Sequence, residues 1–69
     1  MSIQDLIDQF EIEGKFQIKT FKNYGCNEVV LAEGEEFRYD RYDISEDILE
    51  MEITYMYADS DGVLNIEVK

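Results

Sequence analysis

The sequence predicts an α+β fold, with a short N-terminal helix packed on a four- or five-stranded antiparallel sheet that ends in a C-terminal β-hairpin. Three observations predict it. Ile3, Leu6, Ile7 and Phe10 recur at helical spacing and form one apolar stripe. Leu49, Met51, Ile53, Tyr55 and Tyr57 alternate with polar residues, and Leu64, Ile66 and Val68 do so again. Between these two runs stands Asp61-Gly62, the dipeptide that supplies the positive φ of a tight hairpin turn.

The helix is expected over Ser2 to Phe10. Ser2 and Asp5 give a start resembling a capping box, with Asp in place of Glu or Gln. A helix this short is unstable alone and must pack on the sheet. Gly14 closes the region, and Lys15 to Lys22 reads as a first strand with Phe16 and Ile18 inward. Residues 23–27 have loop composition. Glu28 to Glu33 is a second strand, antiparallel to the first, and Gly34-Glu35-Glu36 is a turn. Phe37 to Ile44 reads as a third, bulged strand because of its aromatic content. Its two Tyr, three residues apart, would fall on opposite faces of that strand. Ser45-Glu46-Asp47 turns the chain, as a bend or a single helical turn, into the hairpin.

Two hairpin registers place apolar against apolar. A two-residue loop sets Tyr57 opposite Ile66, and a four-residue loop sets Tyr57 opposite Leu64 and Ile53 opposite Val68. A three-residue loop would set Tyr57 opposite Asn65 and turn one apolar set to water, so it is excluded on this reading. The expected solvent face carries Glu50, Glu52, Thr54, Asn65 and Glu67.

The 69 residues form one domain, 1–69, too small for a deep core. Nine aromatic side chains and an ordinary apolar content argue against disorder. The single cysteine, Cys26, excludes an internal disulfide. No signal peptide or membrane-length apolar run is read, so a cytoplasmic protein is expected.

Catalytic chemistry finds little to work with. The chain has no His, hence no imidazole base or metal ligand. Its four Gly are spread as turn markers and do not form a phosphate loop. Asp59-Ser60-Asp61-Gly62 resembles the opening of a calcium loop but lacks the later ligands, and a turn explains it. No enzyme activity, cofactor or metal is expected.

Charge is the strongest compositional signal. The net charge is −11, and residues 28–67 alone carry thirteen acids against two arginines. Such a field repels nucleic acid and anionic membrane and attracts a basic surface. Within it, Arg38-Tyr39-Asp40 is followed at once by Arg41-Tyr42-Asp43, and Tyr and Arg are enriched at binding hot spots. The candidate partner-binding residues are therefore Glu35, Glu36, Arg38, Tyr39, Asp40, Tyr42, Asp43, Glu50 and Glu52. With Glu28 and Glu33, several of these acids would stand as phosphates do along a duplex, if the fold brings them into one row.

The run from Tyr55 to Val68 resembles the end of small acidic proteins of phages and mobile elements of Gram-positive bacteria, as Ile3-Gln4-Asp5-Leu6-Ile7 resembles their start. The likeness is one of size, charge and hairpin and brings no catalytic motif. It implies a class: inhibitors of host defence, including DNA mimics that block restriction or CRISPR enzymes. The expected function is a non-enzymatic, acidic protein-binding module. Its partner would have a basic surface, as in a nucleic-acid-handling protein, with no direct binding to nucleic acid. The alternative is an assembly module, a homodimer paired edge to edge through the C-terminal strand or the Lys-rich first strand.

Overall fold

The computed structural model describes residues 1–22 and 27–69. Of the loop expected at 23–27, residues 23–26, with Cys26, lie outside the described residues, and Asn27 opens the second strand instead. Helix α1 spans Ile3–Gln9, and its capping box forms as expected. The Ser2 hydroxyl accepts from the Asp5 N–H at 3.1 Å, and the Asp5 carboxylate accepts from the Ser2 N–H at 3.0 Å. Ile3 and Leu6 are buried and Ile7 packs against them, whereas Phe10, at the C-cap, is exposed.

Strand β1 (Phe16–Lys22) pairs antiparallel with β2 (Asn27–Gly34). Three short helical pieces follow: α2 (Phe37–Asp40), a 3-10 turn (Arg41–Asp43) and α3 (Glu46–Leu49). The chain then forms β3 (Ile53–Ala58) and β4 (Leu64–Val68), paired antiparallel.

Two expectations about the elements and their order are corrected. Phe37 to Asp43 is helical, not a strand, and Ile44 follows it in an extended conformation. Phe37, which opens this path, and Ile44, which follows its end, are both buried. Tyr39 and Tyr42, awkward on a strand, both stand in solvent on this helical path. The sheet, moreover, is mixed and not wholly antiparallel. Its order is β2-β1-β4-β3, and β1 runs parallel to β4. The physical reason is the helical segment 37–49. It carries the chain from the β2 edge to the far edge, so β4 returns into the centre alongside β1.

One face of the sheet builds the core. Phe16, Ile18, Ile66 and Val68 are buried there against Ile3, Leu6, Phe37 and Ile44. The rings of Phe16 and Phe37 meet edge to face, with centroids 4.9 Å apart. Leu31, Met51 and Ile53 pack against this cluster, while Val30 is exposed.

The hairpin takes the excluded register. Tyr57 stands opposite Asn65 and Ala58 opposite Leu64. Ile53 nevertheless meets Val68, because the register shifts between Ile53 and Tyr55 and leaves Thr54 as an extra residue. The bulge keeps Ile53 inward and turns Tyr55 and Tyr57 to the open face. Asp59 locks the turn. Its carboxylate accepts from the N–H groups of Asp61 and Val63 and from the Asn65 amide at 2.9–3.1 Å, and its carbonyl accepts from Gly62 N–H. Gly62 supplies the expected positive φ, at 78°.

Candidate interaction surfaces

The sequence-predicted site residues fall into two groups. Glu36, Arg38 and Asp40 are engaged within the fold. The Glu36 carboxylate accepts from the Gly14 N–H and, at 2.7 Å, from Arg38 Nε. Arg38 also pairs with Glu13 at 3.3 Å. Arg38 is the main cause of a Glu36 carboxyl held below its ordinary range, with the Gly14 hydrogen bond second. In turn Glu36 raises the Arg38 guanidinium. Asp40 Oδ2 accepts from the N–H groups of Glu35 and Glu36 at 3.0 and 3.1 Å, which fixes the entry into α2. These three side chains hold the helical segment to the sheet before they can serve a partner.

The second group is open to solvent. Tyr39 and Tyr42 are 66% and 76% exposed, each beside a guanidinium, Arg38 at 5.2 Å and Arg41 at 5.0 Å from the ring centroid. Glu35, Asp43, Glu50 and Glu52 are exposed, with Glu35 3.9 Å from Lys15 and Glu52 3.2 Å from the Met1 ammonium. Glu28 and Glu33 lie on one edge strand, and Glu50 and Glu52 lie beside the start of the other, with β1 and β4 between them. The acids therefore occupy two borders of the molecule and do not follow a single line. No family model, curated protein or solved structure matches this chain.

Two features escaped the sequence reading. A shallow groove of about 550 Å³ is lined by Gln4, Ile7, Asp8, Arg41, Tyr42, Ile44 and Leu49. Arg41 Nε is buried without a hydrogen-bond partner among the described residues. The other feature is a buried cation on the open sheet face. Lys19, on the strand face away from Ile18, is 6% exposed. It points away from the core, but Tyr57 and Glu28 close over it. Its ammonium lies 2.6 Å from Glu28 Oε1 and donates to the Tyr57 hydroxyl at 2.9 Å. The hydrogen bond to Glu28 is the largest cause of a Lys19 pKa pushed upward, followed by that to Tyr57. Tyr55 and Tyr57 are neighbours, with ring centroids 5.5 Å apart, and Tyr55 is 59% exposed. Of the expected solvent face, Glu67 lies here half-buried, Asn65 lies here but is buried at 4% exposure, Thr54 is the exposed bulge residue, and Glu50 and Glu52 precede the strand.

The two strands nominated for edge-to-edge pairing are both interior. β1 is flanked by β2 and β4, and β4 by β1 and β3. The free edges belong to β2 and β3. No helix among the described residues is long and apolar enough to cross a membrane.

Proposed function

We propose that the protein is a non-enzymatic binding module that acts by presenting an acidic surface to a basic protein. In its specific form it inhibits a nucleic-acid-handling protein of a host defence system by standing where nucleic acid would bind. One observation carries this reading: the charge is not neutralised internally. Of the seventeen carboxylate side chains, five take part in an ion pair among the described residues, those of Glu13, Glu28, Glu35, Glu36 and Glu52. The others leave a negative field at the surface, which accelerates encounter with a basic partner and rejects acidic ones.

The test is capture of partners on the immobilised protein, with washes of rising salt and competition by DNA and RNA. The reading predicts a nucleic-acid-binding protein that is released by salt and displaced by nucleic acid. It also predicts weaker capture by a Glu35→Gln, Asp43→Asn, Glu50→Gln triple variant, whose sites are exposed. Binding indifferent to salt and to these changes would contradict it. Glu36 is left unchanged in the variant because its carboxylate holds Gly14 and Arg38.

A further inference from the structure

The two free edges of the sheet are not alike. β2 has a register irregularity at its centre and carries Glu28 and Glu33, features that discourage strand addition. β3 reads Ile-Thr-Tyr-Met-Tyr-Ala and bears no charged side chain. Its first residues are already covered by the chain itself. Ser2 bridges antiparallel to Glu52, and Ile53 N–H donates to the Met1 carbonyl at 2.8 Å. Past the Thr54 bulge, Tyr55 to Ala58 has no neighbour on its outer side among the described residues. Tyr55 and Tyr57 stand on the open face of this edge, and Met56, opposite Ile66, is 40% exposed on the other. An incoming strand would thus find apolar surface on both faces of the sheet.

Acids bracket this bare edge, Glu50 and Glu52 before it and Asp59 and Asp61 after it, all exposed. That pattern selects the occupant. A second copy pairing antiparallel would set the Glu50 end of one β3 against the Asp61 end of the other, twice over. Parallel pairing would oppose identical acids. Both arrangements place like charges together. We infer that the outer edge of β3, Tyr55 to Ala58, takes an extended segment of a basic partner protein as an added strand, with an apolar centre and Lys or Arg at both ends. This rests on the acidic-binding reading above and names the surface that carries it.

The test uses the untagged full chain, because Met1 and Ser2 already pair beside this edge. The probe is a fluorescent peptide, Arg-Lys-Val-Thr-Val-Thr-Lys-Arg, with two derivatives methylated on alternate backbone nitrogens, one odd-numbered set and one even-numbered set. All three have the same charge and side chains, but in an added strand only one set of N–H groups faces β3. The parent peptide is expected to bind and to weaken with salt. One methylated peptide should lose on the order of tenfold or more in affinity relative to the other. Salt-sensitive binding with equal affinity for both methylated peptides would overturn the edge inference and leave the acidic-binding reading standing. No binding of any peptide would overturn both. Self-association of the protein that protects Tyr55 to Ala58 would also overturn the inference, by showing a second copy as the occupant.

Discussion

The Lys19 ammonium donates to the Tyr57 hydroxyl at 2.9 Å from within the sheet, beneath a ring whose centroid lies 5.3 Å away. The contact joins β1 to β3 across the intervening β4 and closes the polar centre of the open face. Glu28, 2.6 Å from the same ammonium, reaches over from β2. One buried cation therefore ties together side chains of β1, β2 and β3.

Lys19→Met should cost about 1–2 kcal/mol, less than a fully buried pair because the Glu28 side chain is half exposed. The pH dependence follows from the raised pKa. A cation held above its ordinary value, here 10.5, gives stability that is complete below that value and lost only as pH rises through the folded one. Urea unfolding of wild type and Lys19→Met should therefore show an undiminished gap up to about pH 10. A gap that closes by about pH 9 would contradict the ion pair.

The acidic side behaves in the opposite sense. The Asn65 amide first, then the Val63 N–H, hold the Asp59 carboxyl below its ordinary value of 3.8. Arg38 first, then Gly14, hold Glu36 below 4.5. Depressed carboxyls add stability above those ordinary values, and it is lost as pH falls through the folded ones. Asp59→Asn and Glu36→Gln should be less stable than wild type at pH 7, and the difference should shrink below about pH 4. Parallel stability curves down to about pH 2 would contradict these roles.

Gly34→Ala should destabilise by about 1–3 kcal/mol. An added Cβ would lie 2.6 Å from Asp40 Oδ2 and 2.7 Å from Phe16 Cε1, against the carboxylate that caps the entry to α2 and a core ring. A variant as stable as wild type in chemical denaturation would show that the approach of strand and helix is looser than described.

Phe37→Ala should cost about 3–5 kcal/mol, since the ring is fully buried against Phe16. A domain of this size has roughly 3–10 kcal/mol in total, so the variant should be largely unfolded at 37 °C by circular dichroism. Retention of a wild-type melting curve would contradict its place at the centre of the core.

The α+β class, the capping box, β1, β2 and the closing hairpin were legible because each rests on short-range spacing. The mixed topology was not, since a helical crossover and a strand turn are equally consistent with an aromatic-rich segment such as Phe37 to Ile44. The three-residue repeat of Arg-Tyr-Asp was the available helical signal, and aromatic β-propensity outweighed it. The hairpin register failed for another reason. By alternation Tyr55 and Tyr57 share a strand face with Ile53, whereas a single extra residue at Thr54 sends them to the open face and leaves Ile53 inside. Among the candidate binding residues, exposure was legible in Tyr39, Tyr42 and Glu50. The internal employment of Glu36, Arg38 and Asp40 was not, because their partners at Gly14, Glu13 and the turn N–H groups meet them only in the folded chain.

Amide hydrogen exchange of the free protein against its complex with the basic peptide Arg-Lys-Val-Thr-Val-Thr-Lys-Arg tests most directly whether β3 receives a basic strand. Slower exchange confined to amides between Tyr55 and Ala58, lost at high salt, is the expected result. Unchanged exchange there, with perturbation spread over the acidic segments at Glu35 to Asp43, would place the binding surface elsewhere and contradict the account.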